Sequence, residues 1–257
     1  MPSVSVVIPV KDDAALLRRC LRALAHQSVA PDEIIVVDNG SSDDSVAVAE
    51  EAGARVLTER VKGIAAASAT GYDAARGEIV ARLDADCVPG ADWVKGVVEA
   101  FADDPTVGAI TGGARLVDGP RSLRRVLPVV YLGAYHAALT PALGHPPLLG
   151  SNMAMRRAAW AAVSGRVHRD DRLMHDDLDV AFHLGEHHRI RYVRALPMGI
   201  SGRPFNRGAA FGLRVRRGFH TVFAHWPEQF PPRRWSGRRI RRDAVGGNPD
   251  PVARAAR

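Results

Sequence analysis

The chain has 257 residues and only two cysteines, Cys20 and Cys87. Two thiols without zinc-ligand spacing cannot make a disulfide framework, so a reducing, cytoplasmic compartment is the expectation. Aromatic residues are sparse at 6%. With few stacking residues and no nucleic-acid motif, nucleic acid is not an expected partner. The first apolar run continues as IPVKDDAALL. It has no glycine, which excludes a Gly-rich phosphate loop there, and no Walker or dinucleotide fingerprint appears elsewhere. The G-x-S-x-G elbow of serine hydrolases is missing too. The opening MPSVSVVIPV lacks a basic n-region and a long apolar run, so it is expected to be a first strand, not a signal peptide. The long apolar stretch at 121–143 is interrupted by Pro128, His136 and Pro141, which makes it a poor membrane span. Two readings of it stay open. It lies on a membrane surface with Arg121, Arg124 and Arg125 at lipid phosphates, or it packs as a helix on the domain.

What is present is ordinary globular composition, 46% hydrophobic and 25% charged, at a length that suits one domain. The charge is unevenly spread. Residues 1–105 hold 10 Lys/Arg against 18 Asp/Glu, and residues 106–257 hold 25 against 10. A basic surface favours phosphates: nucleic acid, anionic lipid or a diphosphate ligand. An Arg-rich solvated surface is the plainer reading of the same numbers.

Periodicity predicts strands at 4–10, 33–37, 54–57 and 79–83, and helices at 14–26, 45–52, 64–75 and 91–102. Asp12 or Asp13 is placed to cap the first helix. This β–α alternation implies an α/β fold, with a mainly parallel sheet and helices on both faces. Beyond 105 the pattern changes. Residues 107–117 read as a strand or hairpin, 146–160 as a turn and a short strand, and 175–193 as a helix opened by acids and then a strand. The predicted domain is 1–232, with halves 1–105 and 106–232, and 233–257 reads as a basic, disordered tail.

The sequence RLDADCVP poses a problem, because a buried strand finishes on Asp84 and Asp86. Asp is a poor strand former, and a buried unpaired charge is costly. In open α/β sheets ligands bind beyond the carboxyl ends of the strands. The acids of DNGSSDD and DAD sit at two such ends, so they are expected to face a site. Carboxylates at i and i+2 suit a hard divalent cation, Mg²⁺ or Mn²⁺, shared with substrate phosphates. A lone D-x-D is also a common surface turn. Asp176 and Asp177 open a helix, where they either complement the helix dipole or supply a general base. Asp38 either shapes its turn or accepts a hydrogen bond from a nucleobase. The histidines show no dependable ligand pattern. His220 and His225 are each open to two readings, a third metal ligand or a structural histidine.

Taken in order, VSVVIPVKDDAALLRRCLRAL, DEIIVVDNGSSDDS, GEIVARLDADCVPGADWV, GSNMAMRR and HDDLDVAFHL resemble glycosyltransferase family 2 over roughly residues 3–200. The resemblance implies an inverting enzyme of the GT-A fold. It also implies a nucleotide-diphosphate sugar donor, UDP favoured, and Mg²⁺ or Mn²⁺. By position, Pro9 and Gly63 border the donor, Asp38 binds the base, Asp84 holds the ribose or a metal water, and Asp86 binds the metal. Asp177 falls on the base position with Asp176 beside it, and Gly150, Ser151 and Asn152 border the sugar and acceptor. The sequence departs from the family pattern at Asp12-Asp13, at Asp176 in place of Glu, and at Ser68-Ala69 in place of Arg-Asn. A Gln-x-x-Arg-Trp motif is missing as well, which points to one sugar added per encounter. The expected acceptor is a glycan or lipid-linked cell-envelope precursor, met in the cytoplasm or at the inner face of an anionic membrane. The rival readings are a nucleotidyltransferase on a similar sheet and an inactive nucleotide-sugar-binding module, which Ser68-Ala69 keeps open.

Overall fold

The computed structural model describes residues 1–118, 123–202 and 208–235. Strand β1 (Val4–Val10) is buried along its whole length. Such a strand is covered on both faces and needs no polar alternation. The chain continues through α1 (Ala14–Ala25), β2 (Glu33–Asp38), α2 (Ser45–Glu51), β3 (Arg55–Thr58), α3 (Ile64–Ala74) and β4 (Ile79–Arg82). Then follow β5 (Val88–Pro89), α4 (Trp93–Ala102), β6 (Val107–Gly112), β7 (Arg115–Leu116) and α5 (Leu123–Leu143). The last elements are β8 (Met153–Arg156), α6 (Arg157–Val163), α7 (Asp176–His187), β9 (Arg189–Val193), β10 (Met198–Ile200) and α8 (Gly208–Ala224).

Seven strands form the main sheet in the order β3-β2-β1-β4-β8-β6-β9. Only β8 runs against the others, antiparallel to both β4 and β6. The α/β fold with a mainly parallel sheet is therefore as expected. One core packs Val6 and Ile8 of β1 with Leu17, Leu21, Val48, Trp93 and Val97 of α1, α2 and α4. The other packs Val7, Val37 and Val80 with Tyr72, Trp160 and Phe182 of α3, α6 and α7. Both thiols are buried.

Three local expectations are revised. The 107–117 segment is not a hairpin: β6 joins the main sheet, whereas β7 joins a three-stranded sheet ordered β5-β10-β7. Asp13 occupies the N-cap of α1 without a side-chain cap bond, and Asp43 from the next loop accepts the Ala14 N–H at 2.9 Å. Helix α5 is continuous through Pro128 and Pro141. Each proline removes one i→i−4 bond, but the Leu- and Ala-bearing turns around them stay helical. By length and composition α5 could cross a membrane. In the fold it contacts β7 and α7, while Val126, Val129 and Val130 are exposed. Of the expected tail, 236–257 lies outside the described residues. Arg234 and Trp235 are held to the domain, donating to the carbonyls of Leu143 and Pro141 at 3.0 and 2.9 Å.

Helix α3 reaches β1 through Gly71, where an added Cβ would stand 2.3 Å from Val7 Cγ1. Gly71→Ala should therefore overpack this face and lower stability by about 1–3 kcal/mol. Urea unfolding measures the loss, and an unchanged midpoint would contradict the packing described.

Candidate active site

Beyond β4 the chain keeps alternating, with Leu83, Ala85 and Cys87 buried and Asp84 and Asp86 partly exposed. A turn in which Cys87 N–H donates to the Asp84 carbonyl at 3.0 Å holds this arrangement. The strand thus ends on two acids because the alternation sends both to one side, into a groove. That groove is also lined by Arg82, Gly150, Ser151, His175, Asp176 and Asp177. Helices α5 and α8 border it with Tyr131, Leu132 and Tyr135 and with Arg214 and Arg217.

Arg82 organises the acids. Its side chain is 2% exposed. Nη2 donates to Asp84 Oδ1 at 2.8 Å, and Nη1 lies 2.8 Å from Asp176 Oδ2 as an ion pair that is not an aligned hydrogen bond. Burial alone would weaken its charge, but Asp176 and Asp84 hold the guanidinium well above its ordinary pKa. A Cβ at Gly150 would stand 2.1 Å from Arg82 Nη1, so any side chain here would push the guanidinium off its acid partners. The Gly150 N–H donates to Asp177 Oδ2 at 2.6 Å. Ser68 Oγ donates to Asp176 Oδ2 at 3.1 Å. The residue that departs from the family pattern thus supports the acid pair.

The two helix-opening acids are pushed apart. Burial, together with the charge of Asp177, raises the Asp176 carboxyl despite Arg82. Burial would raise Asp177 as well, but the charge and hydrogen bond of His175, then Arg82 and Gly150, bring it down to about 2. His175 Nδ1 donates to Asp177 Oδ1 at 2.5 Å. The His175 backbone N–H donates to Thr221 Oγ1 of α8 at 2.8 Å. Burial disfavours the imidazolium, yet Asp177 and Asp176 raise the His175 pKa overall.

A second pocket adjoins the groove, sharing Ile64 and Arg217, and is lined by Pro9, Lys11, Asn39, Lys62, Gly63 and Arg172. Asn39 shapes it, donating to the carbonyls of Glu59 and Val61 and accepting from Gly63 N–H at 2.8 Å. The Arg217 Nε is buried with no hydrogen-bond partner, an orphaned donor at the junction of the two pockets.

Asp84 and Asp86 fit a divalent cation. Their oxygens and Cys87 Sγ lie within 4.8 Å of one another. Cys87 is buried and its thiol is directed at the Ser151 carbonyl at 3.5 Å, which leaves the two carboxylates as the oxygen donors that Mg²⁺ or Mn²⁺ prefers. Of the predicted residues, Asp84, Asp86, Gly150, Ser151, Asp176 and Asp177 meet in the groove, and Pro9 and Gly63 in the adjoining pocket.

Asp38 and Asn152 differ from expectation, and the two histidines with open readings stay outside the groove. Asp38 lines neither pocket, and its carboxylate accepts the N–H groups of Gly40 and Ser41 at 3.2 and 2.9 Å, a turn-shaping role. Asn152 is fully buried. Its amide donates to the Gly113 carbonyl and accepts from Trp93 Nε1 at 2.7 and 2.8 Å, so it is spent on structure. His225 sits beside Asp179 at 3.1 Å, and His220 contacts Asp171 at 2.6 Å. Neither lines the groove. Sequence reasoning missed His175 and Arg82. The available signals were a histidine directly before the acid pair and an arginine inside an apolar strand.

Residues 5–162 match the family model described as Glycosyl transferase family 2. The chain is 34% identical over 103 residues to glycosyltransferase AglE of Haloferax volcanii, covering 37% of this chain and 34% of that protein. It is 33% identical over 204 residues to the pre-mycofactocin glycosyltransferase of Mycobacterium tuberculosis, covering 74% and 40%. The chain therefore spans well under half the length of these curated relatives. Among solved structures, mannosyltransferase PcManGT of Pyrobaculum calidifontis, in complex with GDP-Man and Mn²⁺, aligns with TM-score 0.67 at 23% identity, covering 98% of this chain and 77% of that one. Glucosyl-3-phosphoglycerate synthase of Mycobacterium tuberculosis, with Mn²⁺ and UDP, aligns with TM-score 0.55 at 22% identity, covering 84% and 80%. The fold is that of GT-A glycosyltransferases.

Because the folded pKa of His175 lies above 6.5, its pairing with Asp177 stabilises the fold fully below pH 6.5. That contribution is lost as pH rises through the raised value. Chemical unfolding of wild type and His175→Gln should therefore differ more at pH 6 than at pH 9, and a gap that widens with pH would refute the pairing.

Proposed function

The chain belongs to glycosyl transferase family 2, and from that premise we propose that it moves a sugar from a nucleotide-diphosphate donor, UDP favoured, to an acceptor hydroxyl with inversion. One observation carries this reading: Asp84 and Asp86 share a single groove with Asp176, Asp177 and His175, and that groove opens into a basic pocket. Pro9, Gly63 and Asn39 border the nucleoside. Lys62, Arg172 and Arg217 lie where a diphosphate spans the two pockets. Asp86, with Asp84, would hold Mg²⁺ or Mn²⁺, which supplies charge neutralisation to the leaving diphosphate. Gly150 and Ser151 border the sugar.

The acceptor proton is taken by the His175–Asp177 pair. Asp177 alone is a weak base, with both oxygens occupied and its pKa near 2. His175 is the more exposed member, its side chain 23% exposed against 6% for Asp177. The proton is accepted on Nε2, while Asp177, taking the Nδ1–H, orients the ring. The attacking oxygen displaces the diphosphate from the opposite face, so no covalent intermediate is needed and positioning supplies much of the rate. Ser68 donates to Asp176, which supports the active reading over an inactive binding module.

The acceptor is a lipid-linked or glycan hydroxyl of envelope type. The two helices that border the groove also carry exposed apolar side chains, Val126, Val129 and Val130 on α5 and Phe219 and Phe223 on α8. One relative, 38% identical over 111 residues, is the undecaprenyl-phosphate 4-deoxy-4-formamido-L-arabinose transferase of Sodalis glossinidius. Such a surface suits a peripheral contact with an anionic membrane.

Incubation with a panel of sugar nucleotides and Mn²⁺ should release nucleoside diphosphate. EDTA should abolish release, and Asp86→Ala should lower it at least about 100-fold, the scale of a lost charge-stabilising group. Absence of donor binding in both wild type and Asp86→Ala would end the transferase reading. Asp177→Asn should keep donor affinity by calorimetry while transfer falls about 10²–10⁴-fold. Loss of donor affinity would instead reassign Asp177. Liposomes containing anionic lipid should co-sediment the chain, whereas neutral liposomes should not, and binding to neither would remove the membrane contact.

A further inference from the structure

Helix α7 carries a second set of polar side chains, none of which lines the groove. Asp179 and His183 are one turn apart and 2% and 4% exposed. His168 reaches them from the α6–α7 connection, and His225 from just beyond α8. Asp179 Oδ1 lies 2.8 Å from His168 Nδ1, 3.5 Å from His183 Nε2 and 3.1 Å from His225 Nε2. All four candidate ligand atoms fall within 4.8 Å of one another. The ligand–ligand edge of a tetrahedral site with metal–nitrogen bonds of about 2.0–2.1 Å is about 3.3 Å, and the three distances bracket it.

Hydrogen bonding alone leaves this cluster incomplete. His225 Nδ1 lies 2.7 Å from the Thr221 carbonyl. A carbonyl only accepts, so Nδ1 carries the proton. Nε2 faces the Asp179 carboxylate at 3.1 Å, so without a cation between them two acceptors would meet face to face. His225 Nε2 and both ring nitrogens of His183 are buried without a hydrogen-bond partner. A positive charge between these groups resolves the conflict. A ring whose far N–H donates to a backbone carbonyl while its other nitrogen points at a carboxylate is the arrangement of a metal-ligating histidine with its supporting hydrogen bond. Phe182 stacks on the His225 ring at 4.2 Å between centroids and fixes its plane.

We propose that His168, Asp179, His183 and His225 bind one transition-metal ion, zinc by preference, in a closed tetrahedral site. Three imidazoles and one carboxylate suit zinc rather than the hard cation expected at Asp84 and Asp86. Four protein ligands leave no open position, so the role is structural. The site ties α7 to the end of α8. Helix α8 brings Arg214 and Arg217 to the groove and accepts the His175 N–H on Thr221, so the ion sets the groove's border from outside it.

Cobalt titration of the metal-stripped full chain tests this. Wild type should develop the visible absorption of tetrahedral cobalt to one equivalent, and zinc should displace it. His225→Gln should weaken binding at least about 100-fold, the upper scale of ligand-sphere changes, and His168→Gln, at the most exposed ligand, should weaken it too. Asp86→Ala should leave the absorption unchanged. If circular dichroism shows that His225→Gln does not fold, His168→Gln decides. The proposal is overturned if folded wild type gives no tetrahedral band, if both histidine variants bind cobalt as wild type does, or if the band is lost in Asp86→Ala alone.

Discussion

One buried cation underlies the site. Arg82 ends β4 inside the protein, with Asp84 on one side and Asp176 on the other. Without it, carboxylates from β4 and α7 would meet in a low-dielectric cleft and repel. Stripping the positive partner from such a buried cluster typically costs about 3–5 kcal/mol, because the remaining charges cannot regain their solvation. Where the chain passes this guanidinium on its way into β8, it does so at a residue with no side chain, Gly150. The glycine and the acid pair thus gather around a single charge.

The uneven charge of the sequence acquires a location in this arrangement. Asp84 and Asp86 come from the acidic half, Arg214 and Arg217 from the basic half, and they border one groove. On the proposed function, the acids would gather a divalent cation and the arginines would receive the phosphate of the same ligand. The two halves of the sequence thus meet at one groove.

Much of the fold was legible because it rests on local periodicity. The strands and helices of the first hundred residues need only an apolar alternation and a stop signal, and Asp84 and Asp86 marked the groove by their poor fit to a strand, whereas Asp38 at the end of β2 only shapes its turn. What could not be read depends on partners distant in sequence. Residues 107–117 look like a hairpin until β7 finds β10, more than 80 residues on. Asn152 resembles a ligand contact until Trp93 and Gly113 close around its amide. His168, His183 and His225 show no ligand spacing in line, because three separate segments deliver them to Asp179. Only the i,i+4 pair Asp179–His183 left a trace.

The two native sulfurs have a practical consequence. Cys20 and Cys87 are both inaccessible, and burial pushes the Cys20 thiol up to about 12 and raises Cys87 strongly as well. Thiolate attacks maleimides and thiol-reactive spin labels, and burial keeps both residues from supplying it at neutral pH. A cysteine introduced on exposed α8, for example in place of Leu213, would then be the sole reactive handle, and spectroscopy could report on that helix without any native cysteine being replaced beforehand.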